Sequence, residues 1–123
     1  MKVISTIQAP AAIGPYSQGI VSNDMVFVSG QIPVVPETGL PIDGGIAEQA
    51  EQSVKNLKAV LEAAGSCMEK VIKTTCFLAD MADFAVFNQV YEKYFISKPA
   101  RSCVAVKALP KAVLCEIEAI AEV

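Results

Sequence analysis

The chain has 123 residues, 53% hydrophobic and 19% charged, with neither His nor Trp. That length supports one domain over residues 1–123, and so apolar a small globule has more greasy surface than its own interior can take, which points to association of identical copies. A net charge of −3 and a pI near 4.9 are the wrong sign for gripping nucleic acid, and the missing His removes both the usual neutral-pH base and the commonest metal ligand.

Along the chain, Lys2 to Thr6 is a short β-like run, and Ala9 to Pro15 is a loop stiffened by two prolines. Tyr16 to Val21 and Met25 to Ser29 read as two strands joined through Ser22-Asn23-Asp24, a hairpin signal. Residues 30 to 45 hold four Gly and three Pro and read as loop. From Ile46 the period changes: Ala47, Ala50, Val54, Leu57, Leu61 and Ala64 recur at three and four, an amphipathic helix with Gly65 as its stop. Val71 to Ala79 is a β-branched strand. Asp80 caps a second helix with Phe84, Phe87, Tyr91 and Tyr94 on one stripe and Asn88 beside it. Strands follow at Arg101 to Ala108 and Val113 to Ala121, around a turn at Leu109-Pro110-Lys111. The order ββ(β)αβαββ predicts an α+β fold, one mixed β-sheet with two helices packed on one face.

Cys67, Cys76, Cys103 and Cys115 form no Cys-x-x-Cys pair and read as reduced, mostly buried thiols, as in a cytoplasmic protein. No hydrophobic run exceeds four residues, far short of a membrane span or a signal-peptide core, so no membrane partner is expected.

The chemistry concentrates near the end of the chain. Alternation puts Arg101, Cys103, Ala105 and Lys107 on one side of their strand, and Leu114, Glu116, Glu118, Ile120 and Glu122 on one side of the next. A tight turn at Pro110-Lys111 would pair Lys107 with Leu114, Ala105 with Glu116 and Cys103 with Glu118. Glu116 would then lie diagonally from Cys103, and arginine, thiol and carboxylate would share the sheet face away from the helices. Arginine presents a fork that binds a carboxylate through two parallel hydrogen bonds, and a partly buried glutamate can take a proton from attacking water. On spacing alone, a cross-strand ion pair on a solvated face explains the same residues. Cys103 has no His to activate its thiol as a nucleophile.

These residues also carry a likeness. Pro99-Ala100-Arg101-Ser102-Cys103-Val104, then Leu109-Pro110-Lys111 and Glu116-Ile117-Glu118-Ala119, resembles the C-terminal signature of the Rid family, the reactive intermediate deaminases, also called the endoribonuclease L-PSP family. Ala9-Pro10-Ala11-Ala12-Ile13-Gly14-Pro15-Tyr16, Ser29-Gly30-Gln31-Ile32-Pro33 and Lys73-Thr74-Thr75 extend it over the whole length. The resemblance implies a chorismate-mutase-like subunit in a homotrimer with sites between subunits. It further implies hydrolysis of 2-imino acids, such as 2-iminobutanoate and 2-iminopropanoate, to 2-keto acids and ammonia without a cofactor or metal. Carried over, Arg101 binds the carboxylate, Glu116 positions water with help from the Cys103 carbonyl, and Tyr16, Ser29, Gly30 and Asn88 line the pocket.

Taken by themselves, Tyr16 reads as a packed ring with a wet hydroxyl, Ser29-Gly30 as a strand end, and Asn88 as an exposed side chain. The chain departs from the family pattern at Phe95-Ile96-Ser97-Lys98-Pro99, which is short and carries Lys98 where an aromatic is usual. Cys115 stands where a branched aliphatic is usual and reads as core. A non-catalytic trimer that senses small carboxylates is the competing function; a ribonuclease fits an acidic chain without His less well.

Overall fold

The computed structural model describes residues 1–123. Ten elements follow one another: β1 (Lys2–Ile4), β2 (Gly19–Ser22), β3 (Met25–Gln31), β4 (Val34–Val35), β5 (Leu40–Pro41), α1 (Ile46–Ala63), β6 (Val71–Leu78), α2 (Phe84–Tyr94), β7 (Ala100–Ala105) and β8 (Cys115–Glu122). Six strands form one sheet in the order β1-β2-β3-β8-β6-β7, with every neighbour antiparallel except β6 and β7. The expected mixed sheet with two helices on one face is what the chain adopts. The 30–45 stretch is not all loop, because β3 runs on to Gln31 and β4 pairs with β5 in a small separate ladder. No helix is long and apolar enough to cross a membrane.

The first helix starts and stops where its sequence dictates. Glu48, in the first turn of α1, accepts the Gly45 N–H at 2.8 Å and places negative charge at the positive end of the helix. Past its end, Gly65 adopts φ +84°, while Gly65 and Ser66 donate to the carbonyls of Glu62 and Leu61 at 3.0 and 2.9 Å. The stripe Ala50, Val54, Leu57 and Leu61 is buried against the sheet. Asp80 departs from expectation: it caps a single 3₁₀ turn, Met81–Asp83, that leads into α2, by accepting the Ala82 N–H at 2.9 Å.

The decisive difference lies between β7 and β8. They do not form a hairpin. The chain from 106 to 114 crosses over, and β8 enters the middle of the sheet between β3 and β6. Two causes are visible. The intervening α2 gives the chain enough length to bring β7 back parallel beside β6, as a βαβ unit requires. The alternate residues Cys115, Ile117, Ala119 and Ala121 are all buried, which suits a central strand under two helices. The register is therefore Arg101↔Thr74↔Ala119 and Val104↔Phe77↔Glu116. Thr74 and Ala119 are buried, so Arg101 and Cys103 lie on the helix-covered face, whereas Glu116 lies on the open one. The reading that placed Arg101, Cys103 and Glu116 together on the face away from the helices is corrected on this point. It failed because strand pairing was taken from sequence proximity.

Candidate functional site

Arg101 sits on the edge strand β7 beneath α2. Its Nη1 donates to Asn88 Oδ1 at 2.7 Å, and its guanidinium carbon lies 4.7 Å from the centre of the Tyr91 ring and 5.5 Å from that of Phe84. The cation thus rests on two aromatic faces and is anchored by one amide, with guanidinium donors left over for a ligand. Phe84, Asn88 and Tyr91 follow i, i+4, i+7 spacing, so Asn88 belongs to the stripe that grips the arginine rather than beside it. Tyr91 is itself held: its hydroxyl shares a 2.7 Å hydrogen bond with Thr74 Oγ1, and its ring stacks on Phe95 at 4.1 Å.

Cys103 is the next residue of β7 on this face. Burial pushes its thiol above the ordinary range, against a smaller opposing pull from Arg101, so it is a poor nucleophile at neutral pH. Its backbone is placed differently. The Val106 N–H donates to the Leu78 carbonyl at 2.9 Å, which turns residues 102, 104 and 106 toward β6. The Cys103 carbonyl accordingly points out from the free edge of the sheet, where a ligand can reach it.

Glu116 sits across the sheet. Burial raises its carboxyl above the ordinary carboxylate range, and the neighbouring Glu118 adds to the rise. Gly30 lies against it: a methyl group there would overlap the carboxylate oxygen and stand 2.7 Å from Cδ and 3.0 Å from Cγ. That approach depends on a β-bulge. Val28 pairs with Ala119 and Gln31 with Ile117, so Ser29 and Gly30 together oppose Glu118. The Ser29 hydroxyl donates to the Ser17 carbonyl, and its N–H donates to the Gln18 carbonyl at 2.9 Å, tying the bulge to the Tyr16 segment. Tyr16 is half exposed and lines a hollow of about 590 Å³ with Gly30, Ile32 and Pro110.

The seven site candidates therefore fall into two patches, Arg101, Cys103 and Asn88 on the helix-covered face at one edge, and Glu116, Gly30, Ser29 and Tyr16 on the other side of the sheet. Three supporting residues were not singled out from the sequence. Tyr91 carries the arginine. Gln18, almost fully buried, accepts the Thr6 N–H at 2.7 Å and donates to the Pro10 carbonyl at 2.8 Å, fixing the loop before Tyr16. Gln49 accepts the Leu114 N–H at 2.7 Å, setting the entry of β8 just ahead of Glu116. No local sequence signal marks the last two: Gln18 stands between Ser17 and Gly19, and Gln49 between Glu48 and Ala50.

An α+β chain with an aromatic-backed arginine and a glycine-backed carboxylate on one sheet has close counterparts. Residues 6–123 match the endoribonuclease L-PSP family, and the chain belongs to it. The chain is 53% identical over 125 residues to the 2-iminobutanoate/2-iminopropanoate deaminase of Escherichia coli strain K12, covering 98% of this chain and 96% of that protein. It is 54% identical over 121 residues to a RutC family protein of Pyrococcus horikoshii, covering 98% of this chain and 96% of its relative. Among solved structures, E. coli TdcF with bound serine superposes with a TM-score of 0.93 at 49% identity, over 100% of this chain and 99% of that one. The Rid resemblance drawn from the ordered motifs is thus established.

Proposed function

We propose that the chain hydrolyses short 2-imino acids, such as 2-iminobutanoate and 2-iminopropanoate, to 2-keto acids and ammonia, at sites formed between copies of a homotrimer in the cytoplasm. The observation that carries the reading is the split between the two patches: a guanidinium with free donors on one face, a half-buried carboxylate on the other. A single copy cannot bring them to one small molecule, whereas an edge of one copy set against the open face of the next can. The open face is apolar enough for such a seam. Val3, Ile20, Phe27 and Ile120 form a row across four strands, and Phe27 is 45% exposed without any helix over it. The names of the relatives support the reaction class, and four cysteines without a disulfide suit a reducing compartment.

In this reading Arg101 takes the substrate carboxylate through two parallel hydrogen bonds, with Asn88 and the Tyr91 face holding the fork in place. The imine carbon then lies near Glu116 across the seam. Water adds to that carbon, the C–O bond forms as the C=N π pair moves to nitrogen, and the Glu116 carboxylate accepts the water proton. For the protonated imine, returning that proton makes the nitrogen –NH3+; the C–N bond then breaks with its electron pair leaving on ammonia, while the carbinol O–H proton passes to Glu116 and the oxygen becomes the ketone. A carboxyl raised above its ordinary range both accepts and returns a proton more evenly than an exposed one. Asn88 is a positioning residue, since it reaches the substrate only through Arg101.

The test follows ammonia and 2-keto acid release from 2-iminobutanoate generated in place by an amino-acid oxidase. Acceleration over the uncatalysed rate, lowered about ten- to a hundredfold in Arg101→Ala, is expected. Full activity in Arg101→Ala overturns the assignment. Binding of 2-keto acids without turnover leaves the sensing alternative in its place.

A further inference from the structure

The support under Arg101 reaches one layer deeper than the residues that touch it. Thr74 stands directly opposite Arg101 in the parallel pairing of β6 with β7, and it is fully buried. Its hydroxyl shares the 2.7 Å hydrogen bond with the Tyr91 hydroxyl, which ties α2 to the sheet beneath the arginine. The Tyr91 ring is thus held at two places, its hydroxyl on Thr74 and its ring against Phe95, and the guanidinium carbon lies 4.7 Å from its centre. Burial keeps the Tyr91 hydroxyl above its ordinary range, against a smaller pull from Thr74, so the ring is neutral at pH 7. Asn88 bonds one guanidinium nitrogen at 2.7 Å, and a single hydrogen bond leaves the plane of the fork free to tilt about it. A ring surface against the cation removes that freedom, provided the ring itself cannot turn. Turning it would take the hydroxyl off Thr74 and break a hydrogen bond inside the buried layer.

We infer that Thr74 is a positioning residue for the carboxylate grip: through the Tyr91 hydroxyl it sets the plane of the Arg101 fork. This role rests on the carboxylate-binding reading of Arg101 above and belongs to a residue that touches no substrate. Two parallel hydrogen bonds to one carboxylate need the fork coplanar with it. A tilted guanidinium keeps its charge but loses one of the two.

The experiment measures KM and kcat for 2-iminobutanoate, and calorimetric binding of its product 2-oxobutanoate, in single and double variants. Thr74→Val keeps the shape and removes the hydroxyl; it raises KM and the Kd for 2-oxobutanoate about three- to tenfold with kcat within about twofold, the worth of one hydrogen bond. Thr74→Ser restores both. Tyr91→Phe, and the double variant with Thr74→Val that leaves no hydroxyl orphaned, raise KM no further than Thr74→Val alone, because one relay is cut once. In an Arg101→Ala background Thr74→Val leaves the residual kcat/KM unchanged, whereas a merely structural role lowers it there too. An unchanged KM in the folded double variant, or the same loss with and without Arg101, overturns the inference and leaves the hydrolase reading standing. A wild type that binds 2-oxobutanoate yet releases no ammonia overturns the hydrolase reading alone, since the Kd comparison still tests Thr74. A wild type that neither binds nor turns over sinks both.

Discussion

The two faces of the sheet hold their charges by opposite means. On the covered face, Arg101 is stabilised by attraction, lying over the Tyr91 and Phe84 rings and bonded to Asn88. On the open face, Glu116 is disfavoured as an ion by burial and by Glu118, and no cation of the same chain relieves it. The first arrangement suits a permanent grip on an anion. The second suits a group that must exchange a proton. The contrast teaches that one chain places a grip for an anion and a carboxyl suited to proton exchange on opposite faces of its sheet, and on the proposed reading a second copy is what would join them.

The sharpest way to break this contrast is to prevent the joining. Phe27→Asp puts a charge into the apolar open face; activity is expected to fall to the uncatalysed rate, with monomers in analytical ultracentrifugation. Next in size, Glu116→Gln removes the proton acceptor and is expected to lower kcat by roughly a hundred- to ten-thousandfold. The same change acts on stability. The folded chain holds the Glu116 proton more tightly than the unfolded one, so that stabilisation is present at low pH and lost as pH rises through the raised folded value. At pH 7 a half-buried carboxylate remains as a burden, so Glu116→Gln raises the thermal midpoint there, and the gain vanishes below the ordinary value of 4.5. Thermal unfolding across pH measures it.

Arg101→Ala is expected to lower kcat/KM about ten- to a hundredfold, the worth of a charge-assisted carboxylate contact. Mixed with Glu116→Gln after partial unfolding, it restores activity at about one-quarter of the sites if each site draws its arginine and its glutamate from different copies. No recovery breaks the comparison at its centre. Gly30→Ala displaces the flexible carboxylate rather than backbone, so activity drops about tenfold with little change in melting temperature. The smallest effect concerns the thiols. Burial pushes Cys76 and Cys115 up to about 12, so a thiol reagent at pH 7 labels the partly exposed Cys67 and Cys103 first, and the other two only on unfolding, as mass spectrometry reads out.

Much of this was legible beforehand where the signal is local. The stripe Ala50 to Leu61, the Asn23-Asp24 hairpin and the in-out alternation of Cys115 to Ala121 each follow from a period or a turn residue a few positions apart. The ordered motifs contain every site candidate except Asn88. Besides the pairing of the last two strands, two features were not read. The Ser29-Gly30 bulge depends on how β3 meets β8, some ninety residues later in the chain, and no local pattern marks it. The cysteine expectation held only in part, since Cys76 and Cys115 are buried while Cys67 and Cys103 are half exposed.

The residues by themselves determined the elements, the family and the chemical types gathered near the C-terminus, because propensity, periodicity and motif act over a few neighbouring positions. Which strands pair, and hence which face each charge occupies, only the tertiary structure decided. A strand's side chains alternate identically whatever lies beside it, and the partner is chosen by the burial of whole faces and by the crossover through α2. That choice set Arg101 and Glu116 on opposite sides of one sheet.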